Sequence, residues 1–168
     1  MQRVISQLPS RSHTIFDPRN RNRYITHLQY TVLSPEDRAG VLIYPTMFYV
    51  SLSNEKLPAR RVARRPKAVN IFSKDILVFP ICENSHWFLI VVVKPGLVTT
   101  PDKTNNNGEP MLVVMDSLGL SQDSAVKLIQ EYLTQEWRTS PSSGGQTFQF
   151  SAKQMRTIRP QMVRISTL

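Results

Sequence analysis

His86, Asp116 and Cys82 are the residues whose types and spacing could do chemistry in this sequence. His86 stands just before the apolar run 87–93, and Asp116 just after the run 111–115. The runs are similar in length, and residues 94–110 between them are full of Pro, Thr, Asn and Gly, with no helical pattern. A parallel connection would need a crossover, so the two runs are expected to pair antiparallel. The start of the first then lies beside the end of the second, where opposed Cα atoms are about 4.5–5.5 Å apart. A carboxylate there reaches an imidazole nitrogen, fixes its tautomer and stabilises the imidazolium, which is the orienting half of a nucleophilic triad. The plainer reading of the same residues is a half-exposed histidine beside a strand and an aspartate capping a turn.

No nucleophile is equally legible. Cys82 is the lone cysteine and lies four residues before His86, at the end of the preceding apolar run. A small cysteine at a strand end is ordinary packing. A reactive thiolate is usually made by a helix N-terminus or a nearby cation, and no helix begins here. Cys82 is therefore not proposed as the nucleophile. Ser117 follows Asp116 but lacks the pattern of a nucleophile elbow. One cysteine and three scattered histidines also argue against a zinc site, and no cofactor is expected.

The elements that must position these residues read as an α+β domain. A chain of 168 residues, 40% apolar and 20% charged, has one domain's length and enough apolar content for a core. Residues 1–23 read as an irregular basic lead-in. Residues 24–33 alternate loosely and suit a short strand or helix. The apolar stretch 41–52 suits a helix through Met47, Phe48 and Leu52 with Pro45 in its first turn, although a strand is a fair alternative. Residues 71–81 and 87–93 flank the polar tetrad Glu83-Asn84-Ser85-His86, and with 111–115 they read as buried strands, since their apolar residues are continuous. From Ser121, a plausible N-cap, Ala125, Ile129, Tyr132, Leu133 and Trp137 fall on one helix face. Residues 24–137 thus form the domain, with loops at 55–68 and 94–110. Residues 138–168 read as a flexible basic tail.

The net charge of +9 is unevenly placed. Lys56, Arg60, Arg61, Arg64, Arg65 and Lys67 crowd one short segment, and no acid follows Glu136. Such patches attract polyanions, so weak polyanion binding through residues 56–67 is expected, unless the segment is simply a solvated surface loop. The longest apolar run, residues 87–93, is far below the roughly 18 residues of a membrane helix, and no membrane partner is expected. A single cysteine suits a reducing compartment.

The residues also carry a resemblance. Ile71-Phe72-Ser73-Lys74-Asp75, the run 76–81 and then Asn84-Ser85-His86-Trp87-Phe88-Leu89 resemble the histidine strand of the SUMO-specific (sentrin/ubiquitin-like) cysteine proteases. Met111 to Asp116 with Ser117-Leu118 resembles that family's aspartate strand, and residues 130–137 resemble the helix that follows. Met47-Phe48-Tyr49 before a basic insert resembles the divergent, loop-containing branch. The resemblance covers about residues 44–137 and implies a papain-like fold with a mostly antiparallel central sheet flanked by helices. It implies that His86 is the catalytic histidine, Asp116 its partner, and Trp87 a wall of the tunnel that holds a SUMO diglycine tail. Only glycines pass between flat aromatic walls without a side-chain clash.

The family's next motif, a proline followed by glutamine and then Asp-Cys-Gly, is not matched. The sequence reads Pro160-Gln161-Met162-Val163-Arg164 instead. The expectation is an incomplete peptidase domain in which base and orienter remain without their thiol, as in a splice form, an incomplete gene model or a decayed copy. The family implies SUMO and SUMO-conjugated proteins as partners, and a nuclear or cytoplasmic, not secreted, location. A non-catalytic SUMO-binding module and a basic nucleic-acid-associated protein are the alternatives.

Overall fold

The structure, a computed structural model, describes residues 25–54, 69–99, 110–145, 147–153 and 155–161. Residues 1–23 and the basic cluster 56–67 lie outside the described residues. Five strands form one sheet in the order β1 (Val41–Ile43), β2 (Ile76–Glu83), β3 (His86–Val93), β4 (Met111–Asp116) and β5 (Arg156–Ile158). The long pairings β2–β3 and β3–β4 are antiparallel, and the two short edge strands join in parallel. Helix α1 (Pro35–Gly40) precedes β1. Helix α2 (Met47–Ser53) lies in the crossover from β1 to β2, and α3 (Asp123–Thr139) in that from β4 to β5, as parallel neighbours require. No helix among the described residues is long and apolar enough to cross a membrane.

Each long strand buries alternate residues. This corrects the expectation of strands buried on both faces: their composition is continuously apolar, but only one face is sealed. Leu77, Phe79, Ile81, Phe88, Ile90 and Val92 sit on that face at 3% exposure or less, with Ile129, Leu133 and Trp137 of α3 in the same core. The intervening residues, including Val78, Cys82, Leu89 and Val91, are half-buried. Aromatic rings fill the middle of the core. Tyr44 stacks on Phe79 at 4.2 Å and shares a 3.0 Å hydrogen bond with the hydroxyl of Tyr132.

Four further expectations are amended. The run 71–81 is not one strand: Ile71–Ser73 is a 3-10 turn tucked into the core, and β2 starts at Ile76. Both readings of residues 41–52 occur in succession, a strand and then a helix, with Pro45 two residues ahead of the helix rather than inside it. Residues 28–32 form a turn of π-helix. The weakly patterned tail contributes β5 and buries Phe150 and Met155, because a three-residue edge strand is held by β4's backbone rather than by its own composition. The loop after β3 opens with a 3-10 turn, Pro95–Thr99, pressed so closely on the first one that a Cβ on Gly96 would collide with the carbonyl oxygen of Phe72.

Candidate active site

Asn84 and Ser85, with φ of 49° and 63°, close the β2–β3 hairpin as a two-residue turn whose twist matches the strands it joins. That turn places His86 at the first position of β3, opposite Glu83. Asp116 ends β4 opposite Phe88. The two residues are therefore not directly opposed but sit one diagonal step apart, on the same face, since side chains two apart share a face. His86 spans the step with its ring 6.2 Å from that of Phe88 and nearly parallel to it. Its Nε2 lies 2.9 Å from Oδ1 of Asp116.

Asp116 is 3% exposed. Its Oδ1 also accepts the Leu118 N–H at 2.7 Å, and its Oδ2 accepts Nε2–H of Gln122 at 2.6 Å. Burial pushes the carboxyl upward. The Gln122 amide, then the Leu118 N–H, then the His86 ring outweigh it and hold the group below its usual 3.8. An ionised carboxylate only accepts, so Nε2 of His86 carries the proton it shares with Asp116, and Nδ1 keeps the lone pair. The arrangement can take a proton at Nδ1 and stabilise the resulting imidazolium.

On the other side of His86, Glu83 accepts a 3.3 Å hydrogen bond from the Tyr49 hydroxyl of α2. Burial, and then the nearby Glu83 charge and hydrogen bond, push the Tyr49 phenol up to about 12. Cys82 is opposite Trp87 in the β2–β3 register. Both residues alternate with the Glu83–His86 pair, so their side chains lie on the other face of the sheet. The structure thus brings His86 and Asp116 together and leaves Cys82 and Trp87 across the sheet from them.

The sequence reading missed Gln122. It also placed the N-cap of α3 one residue early. Gln122 holds the N-cap position, with φ 53° and ψ 33°, and its side chain makes no cap hydrogen bond. A polar residue six positions past Asp116 is no signal by itself. Among the described residues no group of three His, Cys, Asp or Glu is placed to hold a metal ion. A groove of about 510 Å³, lined by Gln130, Glu131, Thr134 and Phe150 among others, does not include His86 or Asp116.

Residues 20–162 match the Ulp1 protease family, C-terminal catalytic domain. The ubiquitin-like-specific protease 1D of Arabidopsis thaliana is 32% identical over 126 residues, which is 69% of this chain and 20% of that protein. The probable ubiquitin-like-specific protease 2B of the same plant is 34% identical over 91 residues, 52% of this chain and 10% of that one. Sentrin-specific protease 6 of Mus musculus is 30% identical over 121 residues, 64% of this chain and 11% of that one. The chain thus spans a tenth to a fifth of the length of these relatives. A solved structure described as that of the de-sumoylating protease shares the fold, with a TM-score of 0.59 at 21% identity over 84% of this chain and 51% of that one.

Proposed function

The chain belongs to the Ulp1 protease family, and on that premise we propose that it presents the base-and-orienter half of a thiol-peptidase site for the C-terminal tail of a SUMO-type modifier. One observation carries this reading: the hydrogen bond between His86 and a buried, ionised Asp116 at the mouth of the sheet. In the family's reaction a thiol gives its proton to an imidazole and attacks the carbonyl of the second glycine. The amide bond after it breaks, the amine leaves with the imidazolium's proton, and water then hydrolyses the thioester and restores the thiol. His86 Nδ1 is the proton acceptor and Asp116 holds the ring in the tautomer that leaves Nδ1 free. From the family likeness Trp87 is assigned to the passage for the tail, where an indole plane admits glycine and rejects larger side chains. Since its side chain starts from the other face, the assignment requires the tail to pass the end of β3, where Trp87 adjoins His86.

The thiol is the missing part within these 168 residues. Cys82 is the one cysteine, and it alternates with His86 instead of facing it. For these 168 residues by themselves we therefore assign recognition of the tail, with Cys82 not its nucleophile. A SUMO protein bearing an electrophile at its C-terminus tests the assignment. Saturable binding that Trp87→Ala weakens, with no covalent adduct, is the expected result. Stoichiometric labelling of Cys82 would make it the nucleophile and sink the assignment. Extending the chain with the family's Asp-Cys-Gly segment should create labelling that His86→Ala abolishes; labelling that survives His86→Ala removes His86 from the mechanism.

A further inference from the structure

We propose that Gln122 is a positioning residue for the His86–Asp116 pair, claiming Oδ2 of Asp116 so that Oδ1 alone faces the imidazole, and that Arg159 anchors it. The torsion that rotates a carboxylate is broad and nearly two-fold, so a buried Asp116 held on one oxygen alone could swing either atom toward His86. Two of its contacts, His86 and Leu118, fall on Oδ1. Gln122 supplies the contact at Oδ2, at 2.6 Å, and that fixes the carboxylate plane.

The backbone at Gln122 points the same way. A residue with a Cβ is uncommon in the left-handed region, and persists there only where its surroundings over-determine it. An ordinary helix start carries Ser, Thr, Asp or Asn here, with the side chain turned onto the helix's own N–H groups. Gln122 forgoes that cap and turns its amide away to Asp116. Its neighbours on both sides are clamped by one side chain: Arg159 donates Nε–H to the Ser121 carbonyl at 3.0 Å and Nη2–H to the Asp123 carboxylate. Arg159 directly follows β5, which pairs with β4, the strand that Asp116 ends. The turn is thereby tied to the strand whose last residue it serves.

This inference rests on reading His86 and Asp116 as base and orienter, but its test needs no turnover. Nitrogen-15 and proton NMR of the His86 ring reports the tautomer and the exchange of the Nε2 proton. Gln122→Gly separates positioning from folding, because glycine adopts the left-handed conformation freely. The Gly variant should stay folded but melt somewhat lower, because the bond to the buried carboxylate is lost while the left-handed turn is kept. It should exchange the His86 Nε2 proton roughly tenfold faster, as loss of a hydrogen bond to a charged group implies. Asp116 should also titrate at higher pH in that variant. Gln122→Glu, which sets a second carboxylate against the first, should raise the Asp116 titration further. Arg159→Gln should act in the same direction but less, since its contacts are solvent-exposed. An unchanged imidazole signal in Gln122→Gly overturns the proposal, and an unchanged one in Arg159→Gln overturns the anchor. A chain that binds no SUMO tail, with these shifts intact, would fault the functional reading and leave Gln122's role standing.

Discussion

On one face of the sheet, Phe79, Ile81, Phe88 and Ile90 are sealed in the core that α3 completes, while Val78, Leu89 and Val91 on the other face are only half-buried. Both faces draw on the same kinds of residue, so composition does not separate them; parity along the strand does. The sealed face ends in His86 and Asp116, and the half-buried one in Cys82 and Trp87. Burial lets Asp116 bind a histidine strongly, because few waters compete for its oxygens. The thiol is neighbour in sequence to that chemistry and separated from it by the thickness of the sheet.

The largest expected effect tests whether the faces differ in energy. Ile90→Ala should destabilise the fold by about 2–5 kcal/mol, and Val91→Ala, one position away, by about 1 kcal/mol or less. Urea denaturation measures both, and equal losses would break the comparison. Next is the polar end of the sealed face. Asp116→Asn leaves the shape intact but sets an amide among donors, and should cost about 1.5–3 kcal/mol. Because the folded carboxyl titrates below 3.8, its contribution is whole above that pH and is lost as the pH falls through the lower folded value. The Asn variant should lack that acid-side loss; an identical acid transition in both chains would show that Asp116 does not titrate as its partners require.

Smaller effects sharpen the picture. Alkylating Cys82 with iodoacetamide should leave the His86 ring resonances unmoved, whereas a shift comparable to that of Asp116→Asn would place the thiol on the histidine's face. Least in size is the alkaline limb. With the Tyr49 phenol at about 12 and its unfolded value near 10.0, the unfolded chain sheds that proton first, so stability should decline between those two values and not below them. Ultraviolet titration of the phenolate follows this directly, and Glu83→Gln should move Tyr49 back down.

Much of this protein was legible before any coordinates. A connection with no helical pattern in its sequence set β3 beside β4 in opposite directions, and a face repeating at helical spacing marked α3, because local geometry enforces those periods. That was enough to bring His86 and Asp116 to one end of the sheet. Tertiary structure decided the rest. Register put Asp116 opposite Phe88 and gave Cys82 to the other face. Arg-Thr-Ile became a strand only because β4 offered unpaired backbone. Gln122 acquired its partner through a left-handed turn clamped by Arg159 from far along the chain. Periodicity is written residue by residue and survives in the sequence. The partner of a carboxylate oxygen depends on how distant segments converge, and no local pattern records that.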